Sequence, residues 1–163
     1  MVEILVGLFA ATAVSGIVPL VNAELLVLAA AAAVPAAGVP LVALVSTVGQ
    51  MVTKGVLFGL ARWAPGRLPQ RAQEALEKPC AAVRERGKTV GTLMFTSAAT
   101  GIPPFYGVSL AAGAVGVNLA GFLITGSLGR FVRFGVLAWL GHTLGEEAAD
   151  LLASSSFSLF GLG

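Results

Sequence analysis

The sequence predicts an all-α integral membrane protein, a polytopic helical bundle with two re-entrant or broken helices in a pseudo-symmetric inverted repeat. Three observations carry that expectation. Hydrophobic residues fill 56% of the 163 positions and charged residues only 11%, with a mean hydropathy of +0.90, whereas a soluble domain carries about 25% charge. A surface facing acyl chains can be clothed from this composition; one facing water cannot. Second, Gly and Pro break two long apolar runs, at Ser15-Gly-Ile-Val-Pro-Leu-Val-Asn-Ala-Glu24 and at Gly101-Ile-Pro-Pro-Phe-Tyr106. Third, the positive charge is concentrated in one loop between them, so the net charge of +2 is a topology signal before it is a nucleic-acid signal.

Residues 2–14 are apolar but too short to cross a hydrocarbon core of about 30 Å, which takes about 20 residues. The Met-Val-Glu opening lacks a basic n-region, so the segment is expected to belong to the mature fold, with no soluble domain attached. The run stops at Ser15-Gly16 and resumes over residues 24–33, rich in Ala and Leu, before Pro35, Gly38 and Pro40 close it. Two half-length helices around a Gly/Pro elbow make a re-entrant hairpin or a broken span, with Gly16 and Pro19 at the elbow. Glu24 is the only charged residue between Ile4 and Thr53.

Residues 41–63 are long enough to cross. Gly55-x-x-x-Gly59 within them permits close helix approach, Lys54 reads as a snorkelling end-of-span residue, and Arg62-Trp63 marks an interface. From Arg62 to Lys88 seven basic residues face three acidic ones, which places loop 62–88 in the cytoplasm. Residues 70–77 could form a short amphipathic helix there. A lone Cys80 cannot make an internal disulfide.

Residues 89–129 hold no charge, and the elbow returns at Gly101, Pro103 and Pro104. Residues 118–141 form the second span, carrying Arg130 and Arg133. Glu146, Glu147 and Asp150 follow, and the Ser-rich end is expected to fray or lie on the surface. The organisation is thus a single transmembrane domain over 1–145, with repeats at about 2–63 and 89–142, and a tail over 146–163. At an offset of 80, Gly49, Val52, Gly55, Val56, Leu57 and Leu60 fall on Gly129, Val132, Gly135, Val136, Leu137 and Leu140; at 85, Gly16, Ile17 and Pro19 fall on Gly101, Ile102 and Pro104. A hairpin plus one span per repeat makes the second repeat begin on the opposite side of the membrane, which is an inverted repeat.

The candidate site residues follow from membrane chemistry. A carboxylate at Glu24 faces a cavity or a partner, and can accept and release a proton or serve as a structural cap. Arg130 and Arg133 share a helix face; they can bind a phosphate, snorkel to head groups, or neutralise Glu24. Asn22, Thr100 and Tyr106 can satisfy backbone groups at the breaks and touch substrate. His142 is read as lacking a companion at ligand spacing, which argues against a metal. The absence of a nucleophile–base pair, phosphate loop or dinucleotide fingerprint argues against an enzyme and a cofactor.

Gly-x-x-Pro-x-x-x-x-Glu at 16–24, Pro-x-x-Gly-x-x-x-Ala-Ala-Gly at 104–113 and Gly-Arg-Phe-x-Arg-Phe-Gly-x-x-Ala-x-Leu-Gly at 129–141 together resemble the DedA/VTT superfamily. The resemblance covers nearly the whole chain. It implies a bacterial inner-membrane protein with two facing re-entrant loops that translocates or scrambles phospholipids or polyprenyl-phosphate carriers, with membrane lipids and anionic head groups as partners. A homo-oligomer is compatible with it, and a nucleic-acid partner is not expected. The chain departs from the family pattern in having no arginine beside the second-loop prolines. Two other readings stand beside this one: a proton- or ion-coupled small-molecule exporter, and a non-transporting assembly or scaffold subunit.

Overall fold

A computed structural model describes residues 1–18, 22–67, 70, 74, 76–86 and 89–160. Among these the chain is helical, with no strand: α1 (Val2–Ser15), α2 (Ala23–Ala32), α3 (Val39–Trp63), α4 (Glu77–Arg86), α5 (Val90–Thr100), α6 (Phe105–Val115) and α7 (Leu119–Phe160). Half of the positions of the amphipathic helix expected over 70–77 fall outside the described residues. The described helix of the basic loop is α4.

Local chemistry sets the helix ends. The side chain of Asn22 accepts from the backbone N–H of Glu24 at 2.9 Å and of Leu25 at 3.4 Å, capping α2. Pro40 lies in the first turn of α3, where its missing N–H costs nothing. Gly101 ends α5 at φ +81 and Gly116 ends α6 at φ +85, the left-handed backbone that glycine adopts without strain. The Ile102–Pro103 peptide bond is cis.

The tertiary contacts of the two halves of the chain follow the same plan. Helix α1 runs parallel to the first part of α3, where a Cβ on Gly49 would meet Thr12 and Phe9, and one on Gly16 would meet Thr53. In the same way α5 runs beside α7, with Gly129 against Phe95 and Ala98, and Gly101 against Arg133. The second arms cross over. Helix α2 lies on α7 through Leu28 and Gly141, and α6 lies on α3 through Gly113 and Phe58. The long helices are antiparallel, because Gly126 faces Met51 while Gly55 faces Leu123. Gly49 and Gly129, equivalent by the sequence offset of 80, therefore do the same work in the two halves. Each elbow also ends at the same depth: Thr53 lies fourteen residues past Val39 and Arg133 fourteen past Leu119, about 21 Å along each helix.

The middle of α3 buries polar side chains and exposes apolar ones. Ser46, Thr47, Gln50, Thr53 and Lys54 are buried, while Leu41, Leu44, Val48, Val52 and Val56 are exposed. Helix α7 likewise exposes Ile124, Leu128, Val132, Val136 and Trp139. Segments Ala36–Trp63 and Leu119–Leu151 are long and apolar enough to cross a membrane. Inside, Phe122 stacks on Phe58 and Phe105 at centroid distances of 4.8 and 5.8 Å, and Val27, Ala31, Val42, Phe134 and Ala138 form a second apolar cluster.

Two expectations are corrected here. Of the two outcomes expected for the Ser-rich tail, fraying is the one corrected, since α7 continues as helix to Phe160, its last turns extending the i→i+4 bonding already established in the span. Close helix approach is made by Gly49, Gly113, Gly129 and Gly141, not by Gly55-x-x-x-Gly59. A Cβ on Gly55 would rest 3.8 Å from Leu123, and one on Gly59 would meet only the movable Trp63 ring of its own helix. Gly55→Ala is therefore expected to leave thermal stability in detergent within about 0.5 kcal/mol of the parent, or to raise it slightly through helix propensity; circular dichroism melting measures this.

Candidate functional site

The first elbow is tied down by the polar face of α3. The last carbonyls of a helix have no intrahelical donor, and α3 supplies donors to those of α1. Thr53 Oγ1 donates to Ala13 O at 2.6 Å, Lys54 Nζ donates to Gly16 O at 2.8 Å, and Gln50 Nε2 donates to Ser15 Oγ at 3.0 Å. Lys54 is only 4% exposed, and its ammonium lies 5.1 Å from the ring centroid of Tyr106. A cation at the C-terminal end of α1 also meets the favourable pole of that helix.

The second elbow is tied down from α7. Arg133 Nη1 donates to Ala99 O at 3.2 Å, and Arg133 Nη2 forms an ion pair with Glu24 Oε1 at the start of α2. Within the elbow, Thr100 Oγ1 bonds Thr96 O at 2.8 Å and accepts from Ile102 N at 3.2 Å, while Ser97 Oγ donates to Pro103 O at 2.5 Å.

Two cavities result, one in each half. One, of about 390 Å³, is lined by Ser15, Gly16, Ile17, Lys54 and Tyr106. The other, of about 430 Å³, is bounded by Ala99, Thr100, Arg133 and Glu24, with Val132, Val136 and Leu137 forming its apolar wall. In each, a cation halfway along a long helix binds the carbonyl end of its own hairpin's first arm, then meets the second residue of the crossing arm. That residue is Tyr106 at Lys54 and Glu24 at Arg133.

Arg130 stands between the two. Its guanidinium lies 5.1 Å from the Phe105 ring centroid and 5.9 Å from that of Phe134, and its buried Nε has no hydrogen-bond partner. It also lies within electrostatic range of Lys54 and of Arg133. Lys54, Arg130 and Arg133 are three positive groups against the single carboxylate of Glu24, so the cluster carries a formal charge of +2.

Glu24 and Arg133, 109 positions apart, are thus brought together, with Arg130 beside them and Tyr106 facing Lys54. Gly16 and Gly101 mark the two tips, Pro103 accepts from Ser97, and Pro104 precedes α6. Pro19 lies outside the described residues. Asn22 is an exposed helix cap and lines neither cavity. Lys54 departs from its sequence reading: it is buried mid-helix rather than snorkelling from an end, because α3 begins at Val39 and runs well beyond it. The signal was the polar succession Ser46, Thr47, Gln50, Thr53, Lys54, whose spacing of three and four residues marks one helix face. His142 is also corrected, since its Nε2 lies 3.4 Å from Glu146 Oε1 one turn on. Among the described residues no group of three metal-ligating side chains forms.

No protein family, curated protein or solved structure matches this chain.

Proposed function

We propose that the chain is a multi-pass membrane transport protein that moves a phosphate-bearing lipid, either a phospholipid or a polyprenyl-phosphate carrier, along a path between the two elbows. In this reading the hairpins α1–α2 and α5–α6 are re-entrant and enter from opposite faces, α3 and α7 cross completely, and the basic loop lies in the cytoplasm of a bacterial inner membrane. One observation carries the proposal: two antiparallel apolar helices hold both hairpin tips at mid-length around a cluster of excess positive charge. Uncompensated charge at that depth is costly, and a phosphate of one to two negative charges offsets it. Apolar walls such as Val132, Val136 and Leu137 let acyl or prenyl chains stay in the bilayer while the head group passes. The resemblance to the DedA/VTT superfamily supports the same reading.

Reconstitution in liposomes with a fluorescently labelled phospholipid tests it. Transbilayer movement should exceed that of empty vesicles, and equal rates would sink the proposal. Proton- or sodium-dependent uptake of a soluble substrate without lipid movement would establish the exporter instead. Topology is tested by single cysteines at the exposed positions Ile17 and Ile102, which should label from opposite sides. The native thiol interferes little at neutral pH: burial pushes Cys80 above its ordinary range, with Arg84 opposing more weakly, so its thiolate fraction is reduced. Labelling of native Cys80 should therefore rise with pH later than that of an exposed cysteine.

A further inference from the structure

The two cavities are alike in build and unlike in charge. At Arg133 the guanidinium is already paired with Glu24. At Lys54 the equivalent position is occupied by Tyr106, and among the described residues no carboxylate pairs with the ammonium. Lys54 spends one of its three donors on Gly16 O, leaving two for a ligand. The crossing helix differs in the same sense. Where α2 enters the Arg133 cavity its first N–H groups are capped by Asn22, whereas α6, whose second residue Tyr106 lines the Lys54 cavity, starts behind Pro104 with no side-chain cap, so no side chain answers its positive pole. Arg130 adds positive potential to both cavities, and only at Arg133 is a carboxylate present to offset it.

We infer that the Lys54–Tyr106 cavity is the phosphate subsite of the path, with phosphate oxygens bound by the Lys54 ammonium and the uncapped start of α6. The cavity at Arg133, where the guanidinium is held by Glu24, is its closed counterpart in the other half of the chain. The inference rests on the lipid-transport reading, and it moves the anion contact from Arg133 to a residue the sequence places in a structural role.

The test uses the full chain in phosphatidylcholine nanodiscs with dioctanoyl phosphatidic acid as probe, and dioctanoylglycerol as the phosphate-free control. Lys54→Met should weaken probe binding at least about tenfold, and Lys54→Arg should restore most of it; unchanged affinity in Lys54→Met overturns the inference. Because Lys54→Met can disturb the elbow, a second measurement leaves Lys54 in place. In a K78R/K88R background Lys54 is the sole lysine of the chain, and solid-state 15N–31P dipolar coupling should place the probe's phosphorus against its Nζ. A bound probe without that coupling overturns the subsite. Inorganic phosphate binding as tightly as the lipid keeps the subsite and overturns the lipid reading, while lipid movement in vesicles without coupling at Lys54 does the reverse.

Discussion

Arg133→Met is expected to reduce lipid movement in proteoliposomes at least about tenfold and to destabilise the fold, because one guanidinium joins three elements. It holds Ala99 O at the end of α5 and the Glu24 carboxylate at the start of α2, while itself standing on α7. Its removal leaves the carboxylate without a counter-charge. Glu24→Gln is expected to impair movement as well, by raising the formal charge of the cluster from +2 to +3. The double variant should be less destabilised than the two single losses predict. The coupling should fall at the low end of the range of about 0.5–3 kcal/mol for residues in contact, since the Glu24 side chain is 41% exposed at the cavity it borders, which leaves the pair only partly enclosed. Thermal unfolding of the four proteins measures it; strict additivity would show that the pair does not act as one unit.

Gly113→Val is expected to prevent α6 from seating on α3. A Cβ at that position would lie 2.2 Å from Phe58 O and 3.0 Å from Phe58 C, both backbone atoms that no rotamer change can move. Even Gly113→Ala should lower stability by about 1–3 kcal/mol, the usual cost of overpacking, and the valine variant should elute from gel filtration as aggregate. The contrast with Gly55→Ala is the informative part, because both glycines lie on apolar helices and only one faces backbone. Loss of α6 would also remove Tyr106 from Lys54, so this substitution should abolish transport for a structural reason.

Much of the architecture was legible because its causes are local. Gly101 and the prolines at 103 and 104 interrupt a helix through their own backbone chemistry, and the distribution of charge separates the basic loop from the apolar runs. The offset of 80 was legible because the glycines at 49 and 129 must both admit a neighbouring helix. Gly113 carried no such signal, since whether a glycine meets backbone or open space depends on the neighbour. The same holds for Lys54. Midway along an amphipathic-looking stretch it resembles an end-of-span residue until the true start of α3 is known, and its partners lie on a hairpin tip 38 residues upstream and on a helix from the other repeat.

The sequence by itself determined the helical, apolar character of the chain, the two elbows, the repeat, and the short roster of ionisable groups that lie within apolar surroundings. Those properties depend on composition and on the conformational limits of Gly and Pro, and neither needs a partner. Only the tertiary structure decided which charge answers which. The second arm of each hairpin crosses to the long helix of the other half, and that crossing sets Glu24 on Arg133 while leaving Lys54 to a tyrosine ring. Charge pairing is a matter of distances of a few ångströms, and those distances are created by the crossing, not by the order of residues along the chain.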